Sequence, residues 1–246
     1  METKTKIPEF QGKPLITPGY IPEADFLRGE FGKAVLEEYN ARVKEDYHDN
    51  NNLKVLGYNN KLEVTGSNSF SNILVNKIIN EQGLHTATQS DLEKIIKLNV
   101  LNLEGKYEDT GLVLRSNEDP NQYLAQHSIS QLGNIELPLM IPLKNLELKN
   151  DDNSPYGLAF YIIGPAIHAP ILNEDSGYFS YVDIDENGLP KKLDKGNKYV
   201  WTRKTGLSRL YLYVDLYLFS SSDRLEYSFD AGRVVVVSGT KPHKKF

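Results

Sequence analysis

Residues 198–238 read KYVWTRKTGLSRLYLYVDLYLFSSSDRLEYSFDAGRVVVVS and carry the densest strand signal in the chain. From Leu210 to Phe219 the residues alternate. Leu210, Leu212, Val214, Leu216 and Leu218 fall on one face, and Arg209, Tyr211, Tyr213, Asp215, Tyr217 and Phe219 on the other. Successive side chains of a strand point to opposite sides, so this stretch is predicted as one strand, aliphatic inside and aromatic and partly polar outside. A turn at Ser220–Asp223 is expected to lead to a further strand over Arg224–Phe229. Asp230-Ala231-Gly232 then turns the chain into Arg233–Val237, a β-branched run of the kind that fills a strand buried on both faces. Turns this short join antiparallel neighbours, since a parallel partner needs a crossover of roughly a dozen residues or more.

Working outward, the second half of the chain continues in the same manner. Strands are predicted at 135–141, 146–148, 157–164 and 178–184, and residues 198–204 and 209–213 read as paired strands around Thr205-Gly206. The first half follows a helical period instead. Leu27, Phe31, Val35, Tyr39, Val43 and Tyr47 recur every fourth residue, which predicts a helix from Pro22 to about Tyr47. A second helix is predicted from a cap at Ser67 or Asn68 to about Gln82, ending at Gly83. Ser90 and Glu93 suggest a capping box for a third, and Asp119-Pro120 opens a fourth that stops at Gly133. Short strands are expected at 53–56, 62–64 and 106–115. Segregated helices and strands indicate an α+β fold with a predominantly antiparallel sheet. The expected organisation is a flexible N-terminal arm over 1–20, one domain over 21–240 (helix-rich 21–133, strand-rich 134–240), and a frayed tail at 241–246.

The chain has 246 residues, enough to bury a real core, and a formal net charge of −5, which argues against indiscriminate nucleic-acid binding. No apolar run approaches the ~20 residues of a spanning helix, and METKTKIPEF lacks the apolar centre of a signal peptide. The expectation is a soluble, cytoplasmic protein with no membrane partner. Cysteine is absent, which excludes disulfides, thiolate nucleophiles and Cys-ligated metals. No cofactor is expected.

KYEDTGLVLRS, YGLAF, DENGLP, TRKTGLSRLYL and GRVVVVS together resemble short phrases that occur in the same order in a group of conserved archaeal proteins of unassigned activity. The resemblance covers roughly residues 83–238. It implies a recurring intracellular fold and carries no functional residue over.

Three constellations bear on function. In the first, basic residues crowd between Lys191 and Arg209, with Tyr199 and Trp201 interleaved. Tyr199, Trp201, Arg203, Lys204, Arg209, Tyr211, Tyr213 and Tyr217 would form an aromatic and basic sheet face. Cations track phosphates and rings stack on bases, so the partner is either another protein or a single-stranded nucleic acid. The plainer reading is a solvated hairpin whose lysines answer nearby acids and guard a sheet edge.

In the second, Asp109, Gly111, Val113 and Arg115 would share one strand face. With Arg209, Arg224 and Arg233 they would line a pocket for a small anion, since guanidinium groups hold carboxylates and phosphates bidentately. Ordinary cross-strand ion pairing is the simpler account.

In the third, Asp183, Asp185, Asn187 and Gly188, with Asp194 at the twelfth place, match the opening of a calcium loop. Strand-like flanks, Pro190 and the short Asp194 favour a polar turn, and no metal is expected. Of the histidines, His168 lies between two prolines and is the best acid–base candidate. No G-x-S-x-G, G-x-x-x-x-G-K-[ST] or G-x-G-x-x-G occurs. The sequence therefore points to a non-enzymatic binding or interaction protein, with an anion-binding enzyme or receptor as the alternative.

Overall fold

The structure, a computed structural model, describes residues 7–14 and 23–238. The rest of the predicted arm, the helix start at Pro22 and the tail at 241–246 lie outside the described residues. In chain order the elements are β1 (Lys13–Pro14), β2 (Glu23–Phe26), α1 (Gly29–Glu45), β3 (Gly57–Tyr58), β4 (Val64–Thr65), α2 (Ser69–Asn80), β5 (Leu84–Thr86), α3 (Gln89–Leu98), β6 (Tyr107–Leu114) and α4 (Gln122–Leu132). There follow β7 (Leu139–Pro142), β8 (Leu146–Asn150), β9 (Leu158–Ile162), β10 (Ile167–His168), β11 (Gly177–Phe179), β12 (Lys198–Trp201), β13 (Leu207–Leu212), β14 (Leu218–Phe219), β15 (Gly232–Arg233) and β16 (Val235–Ser238). The fold is α+β and its sheets are mostly antiparallel.

The large sheet runs β10-β7-β6-β13-β14-β12-β11, with β15 alongside β6, and curls into half a barrel. One of its faces closes on Val113, Met140, Phe179, Val200, Leu210 and Leu218. On the opposite face, Leu112, Leu114 and Leu207 join the core that also holds the apolar sides of α1, α2 and α4. A smaller sheet, β1-β2-β16-β5, is covered by Leu92 and Ile95 of α3. The hairpins β3–β4 and β8–β9 stand apart from both sheets.

Several elements depart from the sequence reading. The predicted single strand over Leu210–Phe219 is a hairpin. The Tyr213 amide donates to the Tyr217 carbonyl at 2.8 Å, and Leu212 faces Leu218 across β13 and β14. The alternation survives because the reversal returns aliphatic residues opposite aliphatic ones. Its turn places Leu216 at φ 64°, with no glycine or proline to announce it. Arg224–Phe229 forms no strand. After Gly232 the chain does not fold back as an antiparallel hairpin: β15 runs parallel to β6, and β16 then crosses to the centre of the small sheet.

The first helix begins at Gly29, because Glu23–Phe26 is claimed by β16 as a strand partner. Thr88 and Asp91 cap α3 in place of Ser90 and Glu93. Those two are engaged elsewhere: the Ser90 hydroxyl donates to the Glu186 carbonyl, and Glu93 receives Lys198. The fourth helix starts after Asn121, two residues beyond the predicted proline. Among the described residues, no helix is long and apolar enough to cross a membrane.

Candidate functional site

Strand register builds the site. Tyr211 on β13 lies opposite Phe219 on β14, and Phe219 lies opposite Trp201 on β12. Next to them, Tyr199 lies opposite Tyr178 on β11. Partners on neighbouring strands stand about 4.8 Å apart and project to the same side, so register alone brings their rings together. Ring centres are 5.4 Å apart for Tyr211 and Phe219, 5.8 Å for Phe219 and Trp201, 4.7 Å for Trp201 and Tyr199, and 4.8 Å for Tyr199 and Tyr178. The sequence placed β12 directly beside β13. In the structure β14 lies between them and runs parallel to β12, so Phe219 joins the two groups of rings.

Much of this row is open to solvent. Trp201 is 43% exposed and Tyr178 53%. Tyr199, Tyr211, Tyr213 and Tyr217 are half-buried. At the β6 end the row opens into a cleft of about 480 Å³ walled by Tyr107, Tyr211, Tyr213, Phe219, Tyr227 and Phe229, with Ser222 and Arg224 also lining it. Burial pushes the Tyr211 hydroxyl up to about 12, so the ring stays neutral at ordinary pH.

Arg209 is the largest fully buried side chain and forms the floor of the cleft. Its Nε and Nη2 donate to the two oxygens of Asp109 at 2.8 and 2.6 Å. Nη1 donates to the Tyr227 carbonyl at 3.1 Å, and the guanidinium lies 4.7 Å from the centre of the Tyr211 ring. Burial works against this charge, but Asp109 outweighs it and holds the Arg209 pKa above its usual value.

A bulge makes the pair possible. Leu210 faces Gly111 and Tyr211 faces Asp109, which leaves Thr110 as an extra residue on β6. One extra residue reverses the alternation beyond it. Asp109 is thereby turned to the face of Arg209, where the Ser69 hydroxyl of α2 donates to its carboxylate at 3.4 Å, while the Asn72 side-chain amide donates to its backbone carbonyl at 3.0 Å.

The predicted anion pocket does not assemble. Gly111, Val113 and Arg115 stay on the opposite face of the sheet, away from Asp109. There Arg115 donates to the Leu172 carbonyl, the Ser208 hydroxyl, and both oxygens of Ser220. Burial, and then the charge of Arg203, bring its pKa down to about 9. Arg233 is elsewhere, paired with Glu63 at 3.2 Å. Of that set, Arg209 and Arg224 alone meet at the cleft.

The basic cluster is largely spent on acids. Lys198 is buried against Glu93 at 2.8 Å, Lys192 binds Asp194 at 2.8 Å, and Lys204 reaches Asp175 at 3.0 Å. Among the described residues, Lys191, Lys195, Arg203 and Arg224 make no ion pair. Arg203 gives one N–H to the Ser221 carbonyl at 3.0 Å, and its Nε is buried without a partner.

The Asp183–Gly188 segment is a tight turn. One oxygen of Asp185 accepts the amides of Asn187 and Leu189 at 2.9 and 2.8 Å, and Gly188 takes φ 82°. A side chain at Gly188 would meet the backbone of Gln89 at 2.6 Å. Asp194 faces Lys192 and not this loop. Among the described residues, no group of three or more His, Asp or Glu side chains is arranged to hold a metal ion. His168 lies on β10 at the surface, 3.9 Å from the exposed Glu136.

Sequence reasoning missed Tyr107, Tyr178, Phe219, Tyr227 and Phe229 as site residues. Phe219 was within reach, since it shares the parity of Tyr211 and Tyr217. The other four arrive through long-range pairing or loop placement. The chain matches no family model, no curated protein and no solved structure.

Proposed function

We propose that this is a binding protein that seats the flat rings of an extended ligand on the sheet face formed by β11, β12, β14 and β13. The observation that supports it is the solvent-facing row of touching rings, Tyr178, Tyr199, Trp201, Phe219 and Tyr211, stacked from Trp201 to Tyr211 and edge-on or tilted beyond, leading into the aromatic cleft. A contiguous exposed apolar strip of this kind marks an interaction site more often than a free surface. Aromatic rings present large, rigid contact area and lose little conformational entropy when a partner stacks on them. The rings already brace one another, so they are set for contact before the ligand arrives.

Trp201 is the only tryptophan, which makes its fluorescence a reporter of this face alone. Ligands with repeated rings should quench or shift its emission. Tyr213→Ala should weaken such a ligand by roughly 1–3 kcal/mol, the worth of one stacked ring, and a thermal melt separates this from the loss of its packing on Phe219 and Tyr211. Sedimentation tests the opposite possibility. A stable dimer in which Trp201 is already shielded from acrylamide would overturn the reading, because the strip would then be an interface between copies.

A further inference from the structure

We infer that the ligand is a single-stranded nucleic acid, with one unstacked base in the aromatic cleft and flanking phosphates on Arg224 and Arg203; this rests on the ring-binding reading above. Two observations lead there. The first is the cleft itself. Its volume of about 480 Å³ falls within the roughly 300–1,000 Å³ of small-ligand pockets, and its walls are ring faces. Among the described residues, the hydroxyls of Tyr211, Tyr213 and Tyr227 make no hydrogen bond to protein and so remain free to meet base edges. Every purine and pyrimidine has a flat face to stack and polar edges to bond, and a duplex hides those faces.

The second observation is charge. Arg224 at the cleft and Arg203, just past the strand end at Trp201, make no ion pair among the described residues. Arg224 lines the cleft and is exposed. Arg203 is two residues from Trp201, is tied to the Ser221 carbonyl, and keeps a buried Nε without an acceptor. The segment Ser221–Arg224 therefore sets two unpaired guanidinium groups along the edge of the ring row. A neutral ring polymer such as a glycan has no use for them. A phosphodiester backbone does, because guanidinium groups present forked donors to phosphate oxygens. Three of the lysines nearby are already bound to Glu93, Asp175 and Asp194, and Lys191 and Lys195 are exposed and unpaired among the described residues.

The test uses a labelled oligouridylate, the same strand annealed to its complement, and maltohexaose. Anisotropy is read at two salt concentrations, and Trp201 emission is read alongside. The single strand should bind and quench Trp201, and the duplex should not compete. Arg224→Gln and Arg203→Gln should each weaken the single strand about tenfold at low salt and flatten the salt dependence by about 0.7 in log–log slope. Thermal melts of both variants show whether the fold is intact. Wild-type affinity and slope in both variants would overturn the inference. Quenching by maltohexaose but not by the oligouridylate would overturn it and leave the ring-binding surface standing. Quenching by neither would remove both.

Discussion

Asp109→Asn isolates the contribution of one charge at the floor of the cleft. Asparagine keeps the shape and one acceptor but removes the negative charge that faces Nε and Nη2 of Arg209 at 2.8 and 2.6 Å. Arg209 and Asp109 are 1% and 2% exposed, so water cannot replace what is lost. Removing one partner of a buried pair costs about 3–5 kcal/mol, most of it the uncompensated charge left behind. Some relief remains. The Tyr227 carbonyl still receives Nη1, and the rings of Tyr107 and Tyr211 lie 5.3 and 4.7 Å from the guanidinium, a contact worth up to about 2 kcal/mol when desolvated. The expected loss is therefore near the lower end, about 3 kcal/mol. At roughly 2–4 °C per kcal/mol for a chain of this size, melting should fall by about 6–12 °C. Urea unfolding followed by circular dichroism measures it directly. The double variant Asp109→Leu with Arg209→Met removes both charges and should recover most of the loss. A cost below about 1 kcal/mol for Asp109→Asn, the worth of an exposed pair, would refute the claim that this interaction is buried and holds the strand pair together.

Further expectations concern the core and the Asp183–Gly188 turn. Burial holds the Glu108 carboxyl well above the usual glutamate value, and its Oε1 has no partner. A folded-state pKa above the unfolded one favours the fold only below the unfolded value. That stability is lost as pH rises from about 4.3 toward the folded pKa. Glu108→Gln should thus gain stability over the wild type more at about pH 7 than at about pH 5, and an equal difference at both pH values in urea titrations would contradict the assignment. Leu212→Asp puts an unpaired charge at a position 1% exposed and should abolish cooperative melting, whereas a wild-type melting temperature would mean that the inner face is misassigned. Calorimetry should detect no tight calcium binding. Micromolar affinity that disappears in Asp183→Ala would displace the turn reading of Asp183–Gly188.

The fold class was legible because long periodic segments dominate it. The apolar spacing of α2 and α4 and the length of β6 follow directly from their residues. The hairpin at Tyr213–Tyr217 was not legible, since aliphatic and aromatic residues alternate straight through it and its one turn-forming residue, Asp215, whose carboxylate accepts the Tyr217 amide at 3.1 Å, sits inside that alternation without glycine or proline. The bulge at Thr110 was equally hidden. A one-residue slip leaves no mark on the pattern yet moves Asp109 to the other side of the sheet, which is why the arginine pocket looked plausible on paper. The candidate surface fared better. Tyr199, Trp201, Tyr211, Tyr213 and Tyr217 could be chosen from parity alone. The strand that joins them, and the loop that brings Tyr227 and Phe229 to the cleft, depend on pairings between distant parts of the chain.

The course of the last strand sets the order in which the molecule can be made. Val235–Val237 is the middle of the small sheet, and its neighbours are Ala24–Phe26 on one side and His85–Thr86 on the other. Both wait for a segment translated some 150 to 210 residues after them. Until it leaves the ribosome, the apolar side of α3 has no sheet to rest on, and two strand edges remain open. The large sheet is a little less dependent, since β6 and β13 can pair before the final strand is synthesised. Such long-range closure slows folding and prolongs exposure of sticky edges. Nascent chains arrested before Val234 should therefore bind chaperones, and release should coincide with emergence of the final valines.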